Sequence, residues 1–217
     1  MILEADNISL SFGQKRILSG IYLKAETNKV TGILGRNGSG KTSLMRIIFG
    51  DLNPKYKNVR INGKYQKKAL FKTNTVGYLP QHQMLPNSIT IFYAFTLFQV
   101  SWNAFVAIFP SFETYKKTRF QHLSSGEQRI IETYLIVASD KKIIMLDEPF
   151  SFIAPLYVHK IKTIIQEQKK DKVILITDHY YQDILDISEV VYLLKEGYSK
   201  RIRTKSELEY EGYLSYS

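Results

Sequence analysis

The sequence has no cysteine. That removes disulfides and thiolate metal sites, and it fits a reducing compartment. No leader-like segment opens the chain: "MILEADNISLSF" carries acids and alternates apolar with polar residues, the pattern of a strand. Long basic blocks are missing too. The lysines are scattered, as in "HKIKTIIQEQKKDK" at 159–172, a spacing that suits the solvated face of a helix. Charge of either sign is absent from Gln83 to Phe112, a stretch dense in aromatics. About 20 apolar residues would span a bilayer, but Thr90, Thr96, Gln99, Ser101, Asn103 and Pro110 interrupt this one. What is present is an ordinary folded composition, 44% hydrophobic and 23% charged over 217 residues, enough for one sizeable core. The net charge of +10 favours anionic partners such as nucleic acid, phospholipid head groups or phosphorylated ligands.

"VTGILGRNGSGKTSLMRII", Val30 to Ile48, runs from an apolar stretch through a glycine-rich turn into a helical pattern with Leu44, Ile47 and Ile48 on one face. Within it Gly35, Arg36, Asn37, Gly38, Ser39, Gly40, Lys41 and Thr42 match GxxxxGK[ST] in the strand–loop–helix setting that motif needs. Glycines let backbone N–H groups curl around a phosphate, and the new helix presents its positive end there. Lys41 can reach the outer phosphates, and the Thr42 hydroxyl suits Mg²⁺, which prefers oxygen ligands. The motif implies a nucleoside triphosphate.

Such a loop needs a carboxylate for the metal. The apolar strand "KIIMLD" at 142–147 delivers Asp147 at its C-terminal end, where ligands collect in a parallel sheet. Glu148 follows and is placed to polarise a water attacking the γ-phosphate. A further strand, "KVILIT" at 172–177, ends in Asp178 and His179; His179 is expected to contact the γ-phosphate and hold water and Glu148 in line. "LSSGEQR", Leu123 to Arg129, opens a helix and so offers a second anion-binding end.

In this order the motifs resemble the ATP-binding subunits of ABC transporters over nearly the whole chain, and more loosely the ATPases of lipopolysaccharide export and branched-chain amino acid import. The resemblance implies an α/β fold: a P-loop NTPase, RecA-like core with an antiparallel N-terminal β-subdomain and a small helical subdomain at about 83–138, all in a single domain over 1–217. It implies Phe12 as the adenine-stacking aromatic, the loop through Ser43 on the phosphates, and Gln81 in "VGYLPQ" as γ-phosphate sensor and magnesium contact with Thr42 and Asp147. It implies Glu148 and His179 as catalytic residues. Leu123, Ser124, Ser125, Gly126 and Glu127 would form the signature that faces the ATP of an opposite subunit. ATP and Mg²⁺ are therefore the expected ligands. A homodimer, or a heterodimer with a second ATPase chain, is expected in the ATP-bound state.

Two departures stand out. Ser125 occupies a position where the family has glycine, while Ser124 and Gly126 remain. After Asp147 and Glu148, Ile153 and Ala154 stand where the family writes Leu-Asp, so the acid that links the two sites is missing. Hydrolysis with poorer communication, slow hydrolysis, or a different partner ATPase supplying the acid are the three readings this leaves.

Gln81 and Ser124 flank the uncharged segment and must reach ATP in one compartment, so that segment is not expected to cross a membrane. Its nine aromatics from Phe92 to Tyr115 exceed what a small subdomain can hide, which implies an interface for an integral-membrane permease. "EVVYLLKEGYSKRIRTKSELEYEGYL" reads as strand, turn, strand and short helix, with no regulatory domain and no second phosphate loop expected. The expectation is a cytoplasmic protein, peripheral on the membrane's inner face. The alternative is a soluble ABC ATPase working on a protein or nucleic-acid assembly, although nucleic acid is not the expected partner.

Overall fold

The computed structural model describes residues 1–214. Two sheets carry the chain. Strands β1 (Ile2–Phe12) and β2 (Lys15–Glu26) form a long hairpin, joined by β4 (Tyr56–Ile61) and the short β5 (Lys64–Tyr65) in the antiparallel order β2-β1-β4-β5. Strand β1 turns Leu3, Ala5, Ile8 and Leu10 inward. Its register against β2 shifts between Ala5 and Ile8, where Asn7 takes a φ of 50°. The extra residue of this bulge keeps the apolar set on one face.

The second sheet has the order β10-β9-β3-β8-β7-β6. Strands β3 (Val30–Leu34), β6 (Val76–Leu79), β7 (Ile143–Asp147), β8 (Val173–Thr177) and β9 (Val190–Lys195) are parallel, and β10 (Tyr198–Ile202) closes the edge antiparallel to β9. Strands β3, β7 and β8 are buried at every residue, as expected for a parallel sheet covered on both faces. Their residues alternate between two cores. Ile33, Met145 and Leu175 pack with α1 (Lys41–Phe49) and the four-stranded sheet. Leu34, Leu146 and Ile176 pack with α4 (Ser125–Ala138), α5 (Pro155–Gln168) and α6 (Tyr181–Ile187).

Between β6 and β7 the chain makes a helical excursion. Helix α2 (Ile91–Phe98) is capped by the Thr90 hydroxyl and α3 (Trp102–Ile108) by that of Ser101, each accepting from an N–H three residues on. The two meet at 116°, and among the described residues no single helix is long and apolar enough to cross a membrane. The capping box of α4 joins the Ser124 hydroxyl and the Glu127 carboxylate.

The aromatics of this excursion divide in a way the sequence understates. Phe95, Trp102, Phe105, Phe109 and Phe112 are buried. There is room for them because the excursion does not build a core alone: Tyr134 of α4 and Tyr157 of α5 complete the ring cluster. Phe92, Tyr93 and Leu97 stay exposed on the far face of α2. At the centre lies Phe105, fully buried, with five rings at centroid distances from 5.0 to 5.6 Å. Phe105→Ala is expected to destabilise the fold by about 3–5 kcal/mol in urea unfolding; a loss under about 1 kcal/mol would show that the excursion packs independently of this ring.

Candidate functional site

The loop from Gly35 to Gly40 leaves the end of β3 and enters α1 through Gly40, whose φ of 98° is left-handed. No side chain caps α1, so its first N–H groups are directed at the loop. Beside them opens a cleft of about 450 Å³. It is lined by Asn37, Gly38, Ser39, Gly40, Lys41, Thr42 and Ser43 of the loop, by Phe12, Lys15 and Ile17 of the first hairpin, and by Gln81, Glu148 and His179. Phe12 is 57% exposed, its ring free to cover a flat ligand. Lys15 and Ile17 were not anticipated. The pairing Phe12↔Lys15 brings them in, and the tight turn at Gly13 and Gln14 was the signal available.

Lys41 is buried and donates to the Gly35 carbonyl at 2.7 Å and to that of Arg36 at 3.5 Å. Burial lowers its pKa, opposed by the carboxylates of Glu148, Asp147 and Asp178. Arg36, placed by sequence with the phosphate contacts, turns its guanidinium away to the carbonyl of Gly212 at 2.7 Å.

Asp147 ends β7 with no exposure at all. Among the described residues its carboxylate meets only neutral hydroxyls, Thr177 at 2.6 Å and Tyr78 at 3.3 Å. Tyr78 is pushed well above the ordinary phenol range by burial and by this carboxylate. No cation among the described residues pairs with this buried carboxylate directly, although Lys41 and Arg129 lie within its field, and its free lone pairs suit a bound metal ion. No group of three or more His, Cys, Asp or Glu among the described residues could hold one unaided. Thr42, Gln81 and Asp147 offer hard oxygens only, a set that fits Mg²⁺ sharing its remaining positions with phosphate and water.

Glu148 is 6% exposed and sits at a φ of 58°, a strained conformation for a residue with a side chain. Its N–H donates to the Thr177 carbonyl at 2.9 Å. His179 Nε2–H donates to its carboxylate at 2.8 Å, and the Ser151 hydroxyl lies at 3.4 Å. The carboxylate of Asp178, fully buried and raised in pKa chiefly by that burial, accepts the N–H groups of Phe150 at 3.0 Å and Tyr180 at 3.2 Å. It thereby fixes the chain on either side of the Glu148–His179 pair.

The "LSSGEQR" segment does not line this cleft. Leu123 is buried, Ser124 and Ser125 are exposed, and Gly126 and Glu127 are half-buried. A Cβ on Gly126 would stand 2.5 Å from the Phe152 carbonyl, so this glycine is required by close approach. Arg129, at the end of that segment, and Glu132, one turn further along α4, hold the site together. The Arg129 guanidinium donates to the carbonyls of Pro80 (2.7 Å), Glu148 (2.9 Å) and Asp147. Glu132 Oε1 accepts the N–H groups of Met84 at 2.7 Å and Leu85 at 2.8 Å.

A family model described as ABC transporter matches residues 18–151. The lipopolysaccharide export system ATP-binding protein LptB of Haemophilus influenzae is 28% identical over 211 residues, covering 90% of this chain and 88% of that protein. LptB of Escherichia coli K12 is 26% identical over 222 residues, covering 95% and 92%. A solved structure described as the ATP binding subunit of an ABC transporter shares the fold with a TM-score of 0.81 at 20% identity, over 100% of this chain and 95% of that one.

Burial raises the pKa of Glu132, so the folded chain keeps that proton to higher pH than the unfolded one. Its contribution to stability therefore falls as pH rises from the unfolded value through the folded one. Glu132→Gln keeps an oxygen for both amides, and is expected to flatten that slope with a net change under about 1 kcal/mol. Glu132→Ala strands two amides and should cost about 2–4 kcal/mol in urea unfolding. Equal losses for both variants would refute the acceptor role.

Proposed function

The chain belongs to the ABC transporter family, and from that premise we propose that it is the ATP-binding and ATP-hydrolysing subunit that drives a separate membrane permease. The observation that carries this is the convergence, around one cleft, of the loop Asn37–Ser43, Gln81 and the hydrogen-bonded pair Glu148–His179.

The loop N–H groups and Lys41 bind and orient the β- and γ-phosphates, while Phe12 covers the adenine. Magnesium, held through Thr42, Gln81 and Asp147, neutralises phosphate charge when bound. Glu148 takes the proton of a water whose oxygen attacks the γ-phosphorus as the bond to the β-phosphate oxygen breaks. His179 keeps the Glu148 carboxylate aimed at that water. In the nucleotide-bound state Ser124, Ser125 and Gly126 face the ATP of an opposite subunit. The exposure of Ser124 and Ser125 at the start of α4 supports that role. The exposed face of Phe92, Tyr93 and Leu97 supports a permease contact, and with it a peripheral position at the membrane. The transport reading is favoured over a soluble assembly ATPase by relatives named for lipopolysaccharide export.

Glu148→Gln should reduce phosphate release by about 100-fold or more while ATP still binds; a variant that turns over like the parent would remove Glu148 from the mechanism. Co-purification from detergent-solubilised membranes should bring down an integral membrane protein in stoichiometric amount. Recovery of only soluble proteins or nucleic acid would end the transport reading.

Ala154→Asp carries two expectations. Ala154 is the N-cap of α5 and makes no side-chain cap, so aspartate there should add about 1 kcal/mol of stability. A rise in turnover beyond the parent's would show that the missing acid limits hydrolysis. Unchanged turnover alongside a raised melting temperature would show that it does not.

A further inference from the structure

The carboxylate of Asp147 is held from both sides of its strand. In the second sheet β7 lies between β8 and β6, and each neighbour sends one hydroxyl to it. Thr177, the residue paired with Asp147 in β8, donates to Oδ1 at 2.6 Å. Tyr78 of β6, which pairs with Met145, donates to Oδ2 at 3.3 Å. Asp147 and Thr177 are fully buried, and Tyr78 is half-buried.

A carboxylate has about four acceptor sites. One hydroxyl on each oxygen fixes the plane of the group and leaves the other sites open. A hydroxyl also leaves the negative charge in place, which an ammonium or guanidinium bonded there would offset. The Tyr78 hydroxyl is itself aimed by packing. Its ring lies 5.0 Å from that of Phe49, and Phe49 lies 5.6 Å from Phe71. Phe49 is the last residue of α1, whose second residue is Thr42. The helix that carries the Thr42 hydroxyl thus also seats the ring whose hydroxyl holds Asp147.

We propose that Tyr78 and Thr177 are positioning residues for a small divalent cation: their hydroxyls fix Asp147 so that the site favours Mg²⁺ over a larger ion. Mg²⁺ demands near-ideal octahedral oxygens at short range, whereas Ca²⁺ accepts a larger and more flexible shell. An oxygen that cannot swing therefore matters more to Mg²⁺. The proposal rests on the reading of Asp147 as a magnesium ligand.

The test uses the full chain with Tyr78→Phe and Thr177→Val, each of which removes one hydroxyl; Tyr78→Phe leaves the ring on Phe49. Mg²⁺ or Ca²⁺ is titrated calorimetrically into protein saturated with the non-hydrolysed imido analogue of ATP. The Mg²⁺ midpoint should rise about 10-fold in Tyr78→Phe, and the Ca²⁺ midpoint by less. Affinity for the analogue in EDTA should match the parent's. A side chain that only packs would lower the melting temperature and leave both midpoints at the parent's values, or would shift the two ions equally; either result overturns the proposal. Should Tyr78→Phe fail to fold, Thr177→Val decides by the same comparison. A parent whose bound analogue takes up no Mg²⁺ would sink the reading of Asp147 and the proposal with it. A parent that takes up Mg²⁺, with variants that match it, would sink the proposal alone.

Discussion

The site depends on one buried cation. Arg129 is 6% exposed, and its guanidinium spends its donors on the backbone carbonyls of Pro80, Asp147 and Glu148. These carbonyls follow directly on the last residues that pair β6 with β7, Leu79 and Leu146, where the two strands part. Burying a guanidinium is expensive, and desolvation lowers its pKa here. The compensation is local: Glu132 stands at 4.0 Å, and Asp147, Asp178 and Glu148 add favourable field. Each charge-assisted hydrogen bond contributes about 1.5–3 kcal/mol, so several together outweigh the desolvation. The fork geometry of arginine allows one side chain to meet several carbonyls; a lysine point charge could not. The pairing of β6 with β7 brings Gln81 and Glu148 to the same cleft, and this shared donor ties their neighbours together there.

Around that centre, α4 acts as a brace with different functions along its length. Its first turn presents the signature, with Ser124 and Glu127 satisfying each other. One turn on, Arg129 and Glu132 reach back to the segment after β6. Further along, Tyr134 joins the aromatic cluster of the helical excursion. A displacement of that excursion, where Phe92 and Tyr93 lie exposed, would therefore move the signature and strain the carbonyls beside Gln81 and Glu148. The helix thus spans from the packing of that exposed surface to the cleft.

The local parts of this arrangement were legible in the sequence. The phosphate loop, the acids ending β7 and the histidine after β8 follow from short apolar runs closed by polar residues, and the covalent chain alone sets their spacing. The bracing was not legible. Arg129 appeared as one letter of "LSSGEQR", but its targets are carbonyls 19 and 49 residues away, and a carbonyl has no letter of its own. The same holds for Glu132 on the amides of Met84 and Leu85, and for Arg36 on Gly212 across 176 residues. Lys172, buried with its ammonium on the carbonyls of Val137 and Ser139, reads in sequence as the polar edge of a strand. The aromatics divide as their number implied, with Phe92 and Tyr93 exposed, but how many are buried was not legible, because the cluster borrows Tyr134 and Tyr157 from neighbouring helices.

The acid missing at Ala154 looks different once the packing is known. The turn from Glu148 to Ala154 is held at both ends without it. The Phe150 amide is tied to Asp178, beside His179, and the Phe152 carbonyl rests against Gly126 in the signature. Phe152 takes a left-handed φ of 65° with its ring 82% exposed, a conformation stable only because its neighbours over-determine it. Gly126 and the Glu148–His179 pair therefore pack against one stretch of backbone, whichever side chain stands at 154. The absence of an acid at 154 thus leaves the packing of Gly126, Phe152 and Asp178 complete within one chain.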